Sequence, residues 1–319
     1  MATKANPPVL GARALNRATL ERQLLLRRAA ESRPTAREAV THLVGLQAQN
    51  VKPPYFALAA RLADFDPREL SAAMAAREVA RLVTLRSTVH THTADDCLTL
   101  RPLVQAARDR ELRQFRAGLT GVDPTRLARV VRDLVEEEPR TMKQLREALL
   151  VHWPDADPFA LSVAARCTLP LVQVTPRGLW GASGQVELTT AEHWLGRPAE
   201  PAPAADDTVL RYLGAFGPAS VKDMQTWSGL TRMREVFERL RPRLLVFRDE
   251  QGLAELLHGP RLLLDEVAHD AGQACRVDAG ESRAELAQFA VAGRLDQGAQ
   301  RQAVVGGVGV DGGAQGHQA

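Results

Sequence analysis

The feature that most constrains this chain is an order of elements that recurs three times: a helix, a second helix behind a polar start, a third helix, then two short strands. Apolar residues at helical spacing, capping residues and two-residue alternation carry the pattern. In the last repeat Asp206–Ala215 reads as a helix, Gly217-Pro218-Ala219-Ser220 as a break with a capping residue, and Val221–Trp227 as the second helix. Thr231 is placed to cap a third helix to Leu240, and Leu244–Arg248 and Leu253–Leu257 alternate as strands around Asp249-Glu250-Gln251-Gly252. The middle repeat predicts helices at Pro124–Glu137, at Thr141–Val151 behind a Thr141-to-Gln144 capping box, and at Pro158–Leu169. Its hairpin is expected from Leu171–Thr175 and Leu179–Gly181 around Pro176-Arg177-Gly178. The first repeat predicts helices at Thr19–Glu31, Thr35–Gln47, Tyr55–Leu62 and Pro67–Arg77, strands at Ala80–Arg86 and Val89–Thr93, and a long helix from Asp95 or Asp96 to Arg116. The expected fold is mainly α with short β-hairpins, an α+β chain of three tandem winged-helix (helix-turn-helix) units.

The repeats set expected boundaries at 1–120, 121–204, 205–258 and 259–319. The proline and alanine stretch Leu195–Asp207 forms the linker before the third unit. Beyond Gly259 the pattern stops. Phe289 is the tail's single aromatic residue, and Gly306–Gly313 is mostly glycine and valine, too little apolar matter for a core. Only four of the 41 basic residues are lysines, the mark of a G+C-rich gene. Such a gene read out of frame yields this tail composition, so a change of frame near His258 is expected, with an irregular tail after it.

The net charge of +3 conceals an asymmetry: residues 1–120 carry 19 Lys/Arg against 11 Asp/Glu, whereas the remainder carries 22 against 27. A basic first third suits a polyanion such as double-stranded DNA. No apolar run approaches a membrane span and no signal-peptide core follows Met1, so a cytoplasmic chain, a monomer with no membrane partner, is expected. Cys97, Cys167 and Cys275 form no CxxC pair, which fits neither a disulfide framework nor a zinc site. No HExxH, GxGxxG or phosphate-loop motif occurs, so neither a metal nor another cofactor is expected.

The candidate chemistry lies after the second helix, in Val44-Gly45-Leu46-Gln47-Ala48-Gln49-Asn50. Pro53 is expected to force Lys52 out of helical geometry, so the chain leaves the helix between Gln47 and Lys52. In an extended exit Gln47 and Gln49 project to one side, where two amides either form polar surface or hold one water or polar ligand group between them. Arg86, Thr88 and His90 alternate along the expected strand and would share a face, and Arg27, Arg28 and Lys52 are candidate phosphate contacts. Trp227 and Phe237 fall on apolar helix faces and read as core.

The run Gly45-Leu46-Gln47-Ala48-Gln49, after the arginine-bearing QLLLRR of Gln23–Arg28, resembles the glutamine-x-glutamine signature of the winged-helix alkylpurine DNA glycosylases. The stretches Leu85–His90, Ala94–Asp96 and Gly217–Leu240 are similar to that family too, and the resemblance spans about residues 13 to 257. It implies a monofunctional glycosylase that cleaves the N-glycosidic bond of alkylated or crosslinked purines with water, with Gln47 and Gln49 matching the positions that place the water. The alternative is a non-catalytic winged-helix DNA-binding protein or transcriptional regulator, which the lack of a strong acid or base in the motif favours.

Overall fold

A computed structural model of the chain describes residues 7–30, 33–199, 205–250 and 255–258. All belong to the first of two units into which the chain divides, Met1–Ala268. The tail expected to be irregular and out of frame lies outside the described residues, as do Gln251 and Gly252 of the last expected turn and part of the expected linker.

The chain opens with β1 (Val9–Leu10) and α1 (Ala12–Arg22), then α2 (Ala36–His42), β2 (Leu46–Gln47), α3 (Pro53–Ala59) and α4 (Pro67–Ala75). The hairpin β3 (Val79–Val83) and β4 (Val89–Thr93) leads into α5 (Ala94–Leu103) and α6 (Gln105–Arg113). Next come α7 (Pro124–Glu137), β5 (Arg140–Thr141), α8 (Met142–His152), α9 (Pro158–Thr168), β6 (Leu171–Gln173), β7 (Glu187–Thr190) and α10 (Ala191–Leu195). Last are α11 (Ala205–Phe216), α12 (Val221–Ser228), α13 (Arg234–Leu240), β8 (Leu245–Asp249) and β9 (Glu255–His258).

The architecture is mixed α and β. Helix starts follow local chemistry closely. Thr35 with Glu38, Thr141 with Gln144 and Ser220 with Asp223 form reciprocal capping boxes, satisfying backbone donors that helix geometry leaves open. Asp66, Asp123 and Asp157 cap helices whose next residue is proline, where the missing N–H costs no helical bond.

Three apolar clusters follow chain order. Val40, Tyr55, Leu58 and Leu70 centre the first, Leu127, Val131, Leu145 and Leu161 the second, and Val209, Leu213, Met224 and Phe237 the third. A fourth cluster, with Leu82, Leu98 and Val172, ties the first two together. The reason is sheet topology. One six-stranded sheet runs β2-β4-β3-β6-β7-β5, because β3 pairs with β6 through Arg81–Gln173 and Leu82–Val172. The two hairpins are therefore joined edge to edge, whereas β8 and β9 form a separate sheet with β1 running parallel to β8.

Away from the glutamine motif and the Arg86 turn, four expected elements differ. The first helix is Ala12–Arg22, so the QLLLRR run is irregular chain after it, with Leu24 at φ +59°. The long helix to Arg116 breaks at Val104, just after Pro102, which cannot donate a helical hydrogen bond. The return strand of the middle hairpin is Glu187–Thr190 rather than Leu179–Gly181, because Tyr55 Oη donates to Gly178 O (2.7 Å) and Trp180 N to Ser71 Oγ (2.9 Å), anchoring that turn on α3 and α4. No side chain caps α13, which starts after Met233 rather than at Thr231.

Candidate active site

The second helix ends well before Gln47. Gly45 N donates to Val40 O (2.9 Å) and Val44 N to Thr41 O (3.1 Å), the paired bonds of a Schellman turn, with Val44 at φ +54° and Gly45 at φ +96°. A left-handed β-branched residue stores strain of about 1–2 kcal/mol, held here because Val44 is fully buried. Gly45 admits no substitute. A Cβ there would lie 2.2 Å from His92 Nδ1 and 3.0 Å from Thr91 O.

The turn throws the chain into β2, which pairs antiparallel with β4 at Leu46–Thr91 and Gln47–His90. Ala48 N continues the ladder to Val89 O at 2.8 Å. Leu46 and Ala48 are buried while Gln47 and Gln49 are exposed, so the two amides share one face. Gln47 Oε1 accepts from Arg86 Nη2 at 3.3 Å, and Gln49 Oε1 accepts from Val89 N at 3.1 Å. Beneath them Arg81, almost fully buried, donates from Nη2 to Ala48 O at 2.8 Å and from Nε to Gln173 Oε1 at 3.2 Å. Burial pushes its guanidinium pKa down to about 10, with repulsion from Arg177 adding to the effect.

Lys52 is exposed but helical (φ −77°, ψ −35°), contrary to expectation: its carbonyl accepts from Tyr55 N, and α3 is entered through Pro53 at its first position. A following proline disfavours that conformation without forbidding it. Arg86, Thr88 and His90 do not alternate along a strand. Arg86 and Ser87 are both left-handed (φ +52° and +58°), and the strand begins at Val89. Thr88 turns its hydroxyl to Leu85 O at 3.2 Å. Arg86 and His90 nevertheless meet Gln47 in one pocket of about 170 Å³.

His90 is buried, stacks on His92 at 5.4 Å between ring centroids, and donates from Nδ1 to Thr88 O at 3.0 Å. Desolvation first, then the neighbouring His92, pushes its pKa down to about 3, so the ring is neutral at physiological pH. His92 is likewise held to about 3 by desolvation and Arg211, and it shares a 2.8 Å hydrogen bond with Thr84 Oγ1. Arg27 and Arg28 are exposed on the irregular chain that reaches Ala29, whose N–H donates to Arg61 O at 2.8 Å.

Among the residues of this pocket not singled out from the sequence as site residues are Arg61, Phe216 and Trp227. Trp227 packs against the third apolar cluster as expected, 4.9 Å from Tyr212 between ring centroids, yet its backbone oxygen also accepts from Arg86. Phe237 is core. Among the described residues no group of three or more His, Cys, Asp or Glu could hold a metal ion, and no helix is long and apolar enough to cross a membrane. The arrangement can orient a small polar molecule at the Gln47 amide beside cationic side chains. It offers no charged carboxylate base in that pocket.

Residues 40–279 match the family described as DNA glycosylase AlkZ-like. The match starts later than the resemblance read from the sequence and passes some way beyond His258. No curated protein matches the sequence. Among solved structures the fold is similar to Streptomyces sahachiroi DNA glycosylase AlkZ, with a TM-score of 0.65 and 19% identity over 82% of this chain and 72% of that one. With three quarters of its length inside that family's match, the chain belongs to the AlkZ-like DNA glycosylases, DNA repair enzymes that hydrolyse N-glycosyl bonds.

Proposed function

We propose that the protein is a monofunctional glycosylase of alkylated or crosslinked purines in duplex DNA, with Gln47 and Gln49 as the residues that position water. The observation carrying this reading is that Gln47 and Gln49 are the exposed positions of a stretch of alternating burial, and Gln47 lines a pocket that holds arginines and no carboxylate. An N7-alkylated purine is already cationic. When its N-glycosidic bond breaks, the electron pair leaves with the base and neutralises it, so no strong general acid is required. Water then adds to the oxocarbenium-like sugar and releases its proton to solvent, leaving an abasic site. Orientation and dipoles, which amides supply, are what this chemistry asks of the protein. A neutral, undamaged base would not leave under so mild a push.

The three successive clusters support a reading as tandem winged helices over 1–120, 121–204 and 205–258. In this reading Arg27, Arg28, Lys52 and Arg86 meet phosphates of the duplex, Thr88 steadies the Arg86 turn, and neutral His90 faces the lesion. The protein acts as a monomer in the cytoplasm. Purified protein incubated with duplex bearing N7-methylguanine should produce abasic sites, and Gln47→Ala and Gln49→Ala should each abolish them. Tight binding with no released base would instead establish a non-catalytic DNA-binding protein.

A further inference from the structure

The pocket beside Gln47 brings to Arg86, already read as a phosphate contact, a second arginine that the catalytic reading does not use. Arg61 and Arg86 both line it, and no Asp or Glu does. Arg61 is half-buried. It donates to Ala57 O at 2.9 Å and to Gln23 Oε1 at 3.4 Å, while its Nε is buried with no hydrogen-bond partner. Arg86 spends one N–H on Gln47 Oε1 and another on the backbone oxygen of Trp227. Five donors on each guanidinium leave several in reserve.

The contrast with other arginines is informative. Arg33 has Glu69, Arg132 has Glu136 and Arg211 has Asp96, whereas neither Arg61 nor Arg86 forms an ion pair among the described residues. Burial lowers the pKa of both, and no carboxylate opposes it. Arg61 is half-buried and Arg86 exposed, and with no carboxylate lining their pocket both keep guanidinium N–H donors for an anion that joins them.

We propose that Arg61 and Arg86 form a clamp for one phosphodiester group of the substrate strand, next to the nucleotide being excised. This rests on the glycosylase reading for its substrate. A single phosphate suits the confined space and the planar forks of two guanidinium groups. Held there, it brings the adjoining deoxyribose against Gln47, and its negative charge lies beside the carbon where positive charge develops as the base departs. It also neutralises two cations that would otherwise repel a cationic purine.

The test is equilibrium binding of the full-length protein to a duplex carrying a tetrahydrofuran abasic analogue, with one methylphosphonate walked through the linkages around it. One linkage flanking the analogue should weaken binding about tenfold when neutralised. In Arg61→Met and in Arg86→Met that penalty should fall below about twofold while other linkages keep theirs, and each variant should reduce the slope of affinity against salt by about one phosphate. Two independent variants, each checked by thermal melting, guard against a folding defect in one of them. A flat scan in the wild type, or unchanged penalties in both variants, overturns the clamp. Displacement of the duplex by millimolar inorganic phosphate would overturn it too, by assigning the pocket to the free ion. Because this readout is binding, a protein that excises nothing but shows the linkage effect refutes only the glycosylase reading.

Discussion

Replacing Gly45 by alanine should damage the protein out of proportion to one added methyl group. The new Cβ would stand 2.2 Å from His92 Nδ1 and 2.4 Å from its Cε1. His92 has little freedom to move away: it is fully buried, bonded to Thr84 and stacked on His90. Overpacking of this kind costs about 1–3 kcal/mol, and a left-handed φ at a non-glycine residue adds about 1–2 kcal/mol. The expected loss is therefore about 2–5 kcal/mol, a large share of the roughly 5–15 kcal/mol that holds a typical domain together. Chemical denaturation monitored by tryptophan fluorescence measures it. The cause is separable by a double-mutant cycle with His92→Ala, which removes the ring that the methyl group would strike. Gly45→Ala should cost about 1–3 kcal/mol less in the His92→Ala background than in the wild type, leaving the backbone term. Equal losses in the two backgrounds would refute the steric account, and a loss below about 1 kcal/mol in the wild type would refute the geometry of the turn itself.

Acid should weaken the fold through His90 and His92. Both rings are favoured neutral when folded, so below about pH 6.5 the unfolded chain takes up protons that the folded chain refuses, and stability falls continuously toward pH 3. The loss is on the order of 2 kcal/mol per ring by pH 5, and an unfolding midpoint unchanged between pH 7.5 and 5 would contradict it. Arg211→Ala strips buried Asp96 of both its guanidinium bonds (2.5 and 2.8 Å) and should lower stability by about 2–3 kcal/mol, read from the denaturation midpoint. Arg81→Met should reduce excision of N7-methylguanine more than it weakens binding to an abasic-analogue duplex, because its lost bond holds Ala48 between the two glutamines. Equal effects on both measurements would make Arg81 a purely structural residue. Cys97 and Cys167, whose thiols burial pushes upward in pKa, should resist alkylation in the native protein, as peptide mass mapping can show.

Where local chemistry dominates, the sequence was readable. Asp123 before Pro124 and Thr141 with Gln144 place their helices almost to the residue, since capping depends on neighbours within a single turn. The alternating burial from Leu46 to Gln49 was legible for the same reason: an extended chain repeats every two residues. The end of α2 was not, because a Schellman turn normally signals itself by glycine at the left-handed position, and here that position is Val44 with glycine one residue later. The strand character of Arg86–Thr88 failed through two successive left-handed residues, neither of a type that announces one. Arg61, Phe216 and Trp227 come to Gln47 only through packing of distant segments, which periodicity along the chain does not encode. The join of β3 to β6 was hidden likewise, since strand alternation identifies a strand without naming its neighbour.

That join bears on how the protein can be taken apart. Cleaving the polypeptide near Gly121 would separate two stretches of chain but would also unzip the middle of a sheet, baring β3 on one fragment and β6 on the other. Naked strand edges seek partners, so the amino-terminal fragment, although it holds both glutamines, would tend to self-associate in solution. Evolution of such a protein by shuffling or trimming is correspondingly restricted: its first two thirds must be inherited, expressed and lost together.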